Sequence, residues 1–321
     1  MSNQETKSAK TDRWYMIVNP NAGNRKIRKD WNNIRKLLAK SGLDYDFVFT
    51  ERAMHAVELT QKAIESGYRN FVAVGGDGTF NELVHAIFSQ SEVSTLDFKV
   101  GLIPVGTGND WGRMFKIPDN YEKAIQVIKD GQEFIQDIGV VFYQNNGEKL
   151  KRHFINIAGM GFDALVAQKT NKQKEAGKAN AFSYIFNLIA SLFEYTPKLI
   201  DLEIDDKKYS FNTFSLTVGI CRYNGGGMMQ SPKAIPDDGL LDVTVIKKIG
   251  LGALAAQLKN LYNGRFIAHP KVFTGRGKDI LVWTSHESFR LETDGESLGI
   301  GPFTFSIIPV ALRTIIGGKN F

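Results

Sequence analysis

The stretch Val74-Gly75-Gly76-Asp77-Gly78-Thr79-Phe80-Asn81 follows an apolar β run, Phe71-Val72-Ala73-Val74. From Thr79 a helical pattern begins, with Phe80, Leu83, Val84 and Ile87 on one face. Strand, glycine-rich turn and helix in that order predict a βα unit whose backbone can approach a ligand closely. The amides at such a helix start attract phosphate. Asp77, set between two glycines, can meet a metal ion or a ribose hydroxyl but repels a bare phosphate. The stretch therefore asks for a nucleotide whose phosphates arrive with Mg²⁺. The competing reading is a plain tight turn with Asp77 as a turn former.

Outward from this unit, the first 135 residues alternate strand and helix. Trp14 to Val18 is a β run, and Ile27, Trp31, Ile34 and Leu38 share one helical face that Gly42 closes. Tyr45 to Phe49, a helix over 53–66, the opening unit, Val100 to Ile103 and a helix around 121–129 follow. This βαβα rhythm predicts an α/β domain with a mostly parallel sheet, its ligands at the carboxyl ends of the strands. From about Ile135 strands dominate: 138–143, 153–158, 199–204, 211–220, 241–246, 280–284, 289–292 and 303–308. D-D-K and D-G pairs between them read as hairpin turns. An antiparallel β domain is expected there, with helices inserted near 162–169, 182–195 and 251–262.

Composition narrows the class. A chain of 321 residues with 43% hydrophobic and 23% charged content has room for two cores. The lone Cys221 excludes a disulfide framework and suits a reducing cytosol. The first twelve residues, MSNQETKSAKTD, are polar and read as a disordered tail. A net charge of +6 gathers at Arg25, Lys26, Arg28 and Lys29, and at Lys169, Lys172, Lys174 and Lys178. Nucleic acid is one partner such charge could meet, but no recognition motif accompanies it; an anionic lipid surface or nucleotide phosphates explain it as well, and any single lysine reads first as part of a solvated helix face. The five histidines lack zinc spacing, and there is no G-x-x-x-x-G-K-[ST] loop.

Two further turns join the opening one. Asn19-Pro20-Asn21-Ala22-Gly23 follows the first strand, and Gly106-Thr107-Gly108-Asn109-Asp110 follows the strand at 100–103. In a parallel sheet, three such turns at strand ends converge on one crevice and favour a nucleotide site.

N-P-x-A-G, then G-G-D-G-T-x-N-E, then P-x-G-T-x-N-D-W, in this order, resembles the diacylglycerol kinase and sphingosine kinase superfamily, its bacterial soluble lipid kinases above all. G-x-G-F-D-A at 159–164, D-D-G-L-L-D at 237–242 and D-G-E at 294–296 extend the resemblance over nearly everything after the tail. NAD kinases and phosphofructokinases also carry G-G-D-G-T, so the opening motif alone is less specific. The resemblance implies a phosphofructokinase/NAD kinase-like α/β nucleotide domain over 13–136 with 310–321 returning to it. An antiparallel β-sandwich-type lipid-substrate domain with inserted helices would cover 137–309. It further implies that Asn19, Thr50, Gly75, Gly76, Asp77, Gly78, Thr79, Asn81, Thr107 and Asn109 hold ATP. Asp77, Asp110 and Asp137 would organise Mg²⁺ through water, and the Asp238 side chain with the Ile235 and Leu240 carbonyls would hold a second Mg²⁺. Asp110 as a helix cap, Asp137 as a strand end and 235–240 as a hairpin turn are the plain alternatives.

Asp294-Gly295-Glu296 read alone is a hairpin turn. The resemblance makes Asp294 and Glu296, jointly, the candidate base that takes the proton of a lipid hydroxyl. Diacylglycerol is the first acceptor implied, then a sphingoid base or phosphatidylglycerol. Lysines frequent in these kinases are replaced here at Asn24 and near Asn187, leaving Arg25 or Lys26 as candidate substitutes. The apolar segment 182–195 reads as a core helix or as the wall of an acyl-chain cleft. The expected enzyme is thus a cytoplasmic lipid kinase associated peripherally with membranes, with ATP and Mg²⁺ as cofactors and lipid rather than nucleic acid as partner, a homodimer being left open. A NAD kinase-like enzyme and a non-catalytic lipid-binding protein are the alternatives.

Overall fold

Four short apolar strands of the N-terminal region pair in parallel, and their register places the ends of all four side by side. β1 (Trp14–Val18) lies between β2 (Tyr45–Phe49) and β3 (Asn70–Gly75), and β3 pairs with β4 (Lys99–Pro104). Val18 stands opposite both Phe49 and Val74, and Gly75 opposite Pro104. In the computed structural model, which describes residues 11–175, 190–192, 194–286 and 289–321, the chain forms two compact units. One comprises residues up to Gln136 together with Val310–Phe321, the other Asp137–Pro309.

The helices of the first unit follow the periodicity of their apolar residues. α1 (Ala22–Ser41) buries Ile27, Trp31, Ile34 and Leu38 against Val72, Val74 and Ile103 and stops at Gly42, whose φ of 73° suits a glycine. Its first turn is irregular: Gly23, Asn24 and Arg25 all have positive φ, so regular helix begins only after them. α2 (His55–Glu65) and α3 (Asp77–Phe88) follow their strands, and the short α4 (Asp110–Met114) comes after β4. α5 (Tyr121–Asp130) is capped by Asn120, which accepts from the Lys123 N–H, and ends at Gly131 with φ 67°.

The second unit is built from antiparallel pairs. β5 (Glu133–Asn145) forms a hairpin with β6 (Glu148–Phe154). β7 (Ile157–Gly161) is followed by α6 (Phe162–Glu175), then β8 (Lys198–Ile204), β9 (Lys207–Gly219) and β10 (Leu241–Lys247). After α7 (Leu251–Asn263) come β11 (Val272–Gly277), β12 (Ile280–Trp283), β13 (Arg290–Thr293) and β14 (Glu296–Ile315). β9 takes β8 along its first half and β7 and β10 along its second. One face of these strands carries Leu216, Val218, Val243, Val245, Met160 and Leu291 into a large apolar core. The other carries Ser215, Thr217, Thr244 and Glu292, all buried.

Several boundaries differ from the sequence reading for local reasons. The single strand expected over 153–158 is two strands, broken at Ile155 and Asn156, whose N–H groups bond a carboxylate instead of a neighbouring strand. β11 has no counterpart in that reading, because V-F-T-G-R-G lacks alternation. Gly275 and Gly277 make room for Ile204: a Cβ on either would lie 2.6 Å from that side chain. β14 is far longer than the expected 303–308. Its last residues lie parallel to β4, Arg313 opposite Lys99, with Leu312 and Ile315 buried. Most of 182–195, with Lys178 and Asn187, and the first ten residues fall outside the described residues.

Leu312 has no exposed surface, so Leu312→Ala should cost about 2–5 kcal/mol of folding stability. Urea unfolding followed by circular dichroism checks this; an unchanged midpoint would contradict the role of the returning strand.

Candidate active site

In the first unit the three glycine turns meet backbone to backbone at the strand ends. A Cβ added to Gly106 would stand 2.6 Å from the Gly76 Cα, and one added to Gly23 2.2 Å from the Val105 carbonyl oxygen. Gly75 lies so close to Thr79 that a Cβ would sit 2.6 Å from Oγ1. The β3 and β4 turns are tied by Val105 N–H to Gly75 O at 2.8 Å, and the β1 turn by Asn19 N–H to Val74 O at 3.0 Å. Asn19 Nδ2 also donates to Thr79 Oγ1 at 3.0 Å. α3 begins at Asp77, directly after Gly76, which has no side chain to cap it; helix starts of this kind attract phosphate.

Asp77 fixes the third turn. Its two carboxylate oxygens accept from the Asp110 N–H at 3.2 Å and the Trp111 N–H at 3.1 Å, the first two residues of α4. The capping role weighed for Asp110 thus belongs to the Asp77 side chain, while Asp110 is nearly buried beside Arg113. Thr50 is buried at the end of β2, and Thr107 is exposed in the β4 turn. Asn81 is fully buried within α3. Asn109, at φ 50°, donates to Asp119, while its buried Oδ1 has no partner among the described residues.

Sequence reasoning passed over Glu82, the last residue of G-G-D-G-T-x-N-E. Its carboxylate accepts from the N–H groups of Met54 and Ala56, closing the start of α2.

In the second unit the D-G-E turn has a different internal logic. Asp294 and Gly295 both have positive φ, 50° and 85°, as an Asp-Gly hairpin requires. The Asp294 carboxylate accepts three consecutive backbone N–H groups: Ile155 at 3.0 Å, Asn156 at 3.1 Å and Ile157 at 3.0 Å. The residue is 5% exposed. Three amide hydrogen bonds and near-complete burial make this carboxylate a fixed acceptor of the turn, with little surface open to a substrate hydroxyl. The two acids assigned jointly differ in setting: Asp294 shapes the turn, and Glu296 is partly exposed.

Behind the turn lie two acids absent from the sequence reading, Glu292 buried and Asp163 partly so. Glu292 accepts from Gly295 N–H at 2.8 Å and from Asn224 Nδ2 at 3.1 Å. Asp163 bonds Ser215 and accepts from Gln230 Nε2 at 3.3 Å. Gly159 is what admits them: a Cβ there would stand 2.4 Å from Glu292 Oε1 and 3.1 Å from Asp163 Cβ. Burial pushes Glu292 up to about 8 and Asp163 to about 6. The G-x-G-F-D-A motif was the available signal, since its first glycine and its aspartate frame this pair.

The expected metal ligands divide between the units. Asp137 is buried, and its Oδ2 accepts from Gly239 N–H at 2.7 Å, which ties it to the 236–239 turn. Asp77 and Asp110 stand together in the first unit. A carboxylate that bonds amides keeps lone pairs for water, and Mg²⁺ retains several of its waters, so this pair fits an outer-sphere role. Asp238 does not fit a metal: Oδ1 accepts from Leu240 N–H at 3.1 Å, and Oδ2 pairs with Arg276.

The sequence model of the diacylglycerol kinase catalytic domain matches residues 13–141, which hold all three glycine turns. The YegS C-terminal NAD kinase beta sandwich-like domain matches residues 156–316, including the D-G-E turn. Curated diacylglycerol kinases are similar over 290 residues: that of Staphylococcus epidermidis at 30% identity, covering 90% of this chain and 87% of its own, and that of Staphylococcus carnosus at 27%, covering 90% of each. This chain belongs to the bacterial diacylglycerol kinase-like family. It is a lipid kinase. A solved structure of a diacylglycerol kinase from Bacillus anthracis, 23% identical, shares the fold with a TM-score of 0.71 over 96% of this chain and 98% of that one. No described helix of the kinase is long and apolar enough to cross a membrane.

An acid raised to about 8 holds its proton in the folded kinase after the unfolded chain has released it. Its contribution to stability is complete below the ordinary carboxyl range and is lost as pH climbs through about 8. Between about pH 6.5 and about pH 8.5 the urea midpoint should fall, and in Glu292→Gln it should stay nearly level. Parallel curves for the two proteins would show that Glu292 does not titrate there.

Proposed function

We propose that the kinase transfers the γ-phosphoryl group of ATP to the hydroxyl of diacylglycerol, giving phosphatidic acid. The observation that carries this reading is the Asp77 clamp, which holds the G-G-D-G-T turn at the start of α3 to the start of α4. Names of the relatives supply the acceptor: both staphylococcal proteins are diacylglycerol kinases.

In this reading Gly75, Gly76, Gly78 and Thr79 receive the phosphates on backbone N–H groups, with Asn19, Thr50 and Thr107 around them. The orphaned Asn109 Oδ1 offers an acceptor to the nucleotide. Mg²⁺ would be held through water by Asp77 and Asp110, and when bound it neutralises charge on the phosphates. Glu296 is the general base that takes the acceptor's proton as its oxygen attacks phosphorus in line with the departing ADP. Asp294 and Glu292 hold the Glu296 turn in place. The net charge of +6, with Lys169 and Lys172 on α6, suits a protein that works against an anionic lipid surface.

The test uses labelled ATP with a mixed lipid extract, followed by identification of the labelled product. Phosphatidic acid is expected. Label in a sphingoid base or phosphatidylglycerol would change the acceptor, and label in a dinucleotide would defeat the lipid reading. Asp77→Ala should abolish turnover while the circular dichroism spectrum stays unchanged. Glu296→Gln should lower kcat by about 100-fold or more with little change in the KM for ATP; full activity in that variant would remove the base.

A further inference from the structure

The turn at 235–240, where the family resemblance implies a second Mg²⁺, is closed in this protein by an arginine. β11 pairs antiparallel with β10 so that Arg276 stands directly opposite Asp242. Its Nε donates to Asp242 Oδ2 at 3.0 Å. The other end of the same guanidinium, Nη2, bonds Asp238 Oδ2 in the turn that leads into β10. Asp238 Oδ1 is already taken by the Leu240 N–H, and Asp137 accepts from Gly239 N–H on the same turn.

A hard cation at this turn would need Asp238 Oδ2 and backbone carbonyl oxygens at about 2.0–2.6 Å. That carboxylate oxygen is bonded by a group that is permanently charged and shaped to bridge carboxylates. The remaining carboxylate oxygen, Asp238 Oδ1, accepts from the Leu240 N–H at 3.1 Å. The backbone register holds Arg276 in place, since its cross-strand partner Asp242 is almost buried, with a side chain 7% exposed. A divalent ion entering here would displace the guanidinium and face its charge at close range.

We propose that Arg276 takes the place of a divalent cation, bridging Asp238 and Asp242 so that the 235–242 turn holds its shape without metal. The side chain has both the reach and the charge for this, since one guanidinium spans two carboxylates that a bound ion would otherwise neutralise. Any bound Mg²⁺ would then belong to the nucleotide site alone. The arginine's role is independent of the proposed reaction, because it is read by ion binding and melting rather than turnover.

The test uses the full chain, stripped with EDTA and free of nucleotide. Bound Mn²⁺ is counted by electron paramagnetic resonance, and thermal unfolding is followed in EDTA and in millimolar Ca²⁺. The expected result is that Asp238→Asn binds as many Mn²⁺ ions as the unaltered protein, whose Tm is the same in both buffers. Arg276→Gln should melt a few degrees lower in EDTA, recover in Ca²⁺, and lose that recovery when combined with Asp238→Asn. One Mn²⁺ fewer in Asp238→Asn would overturn the proposal, as would a failure of Ca²⁺ to restore Arg276→Gln. Should Arg276→Gln not fold, the Mn²⁺ count in Asp238→Asn decides alone.

Discussion

The Asp294 carboxylate, holding three successive peptide N–H groups, is the interaction on which the D-G-E turn depends. It interrupts what would be one strand over 153–158, pins the β13–β14 hairpin to the start of β7, and leaves Glu296 as the partly exposed acid of the turn. The same device recurs through the protein. Asp77 takes the N–H groups of Asp110 and Trp111, Glu82 those of Met54 and Ala56, and Asp205 those of Lys278 and Asp279. In each case a charged acceptor satisfies paired donors that secondary structure leaves over. These irregular loops are therefore tied down by carboxylate–amide hydrogen bonds.

Neighbouring acids in this turn have different surroundings. Glu292 is buried beside Asp163 with two hydrogen bonds and keeps its proton near neutrality. Two residues on, Asp294 has three amides and acts as an acceptor. The difference is one of donors supplied by the backbone, and a window of five residues contains both. Gly159 makes the arrangement sterically feasible, since any side chain there would collide with Glu292.

The parts of the fold governed by local pattern were legible in the sequence. Ile27, Trp31, Ile34 and Leu38 announce α1 by their period, and glycines at 75, 76 and 106 announce a close approach of turns. What those glycines approach is partly each other, which spacing cannot reveal. A D-G pair reads alike, as a hairpin turn, whether its carboxylate meets solvent or amides 138 positions away, so the three amides held by Asp294 were not legible. Arg276 was invisible for another reason: its strand is rich in glycine to clear Ile204, and only the register sets it opposite Asp242. Glu292 was hidden because its partners, Asn224 and Asp163, come from distant segments.

The return of the chain at 310–316 sets an order of events during synthesis. The sheet of the first unit keeps an open apolar edge at β4 until Leu312 and Ile315 are available to cover it. The second unit, contained wholly within 137–309, is complete before those residues leave the ribosome. The half of the protein made first is thus the half that finishes last. Until then its β4 edge is open to pairing with other chains.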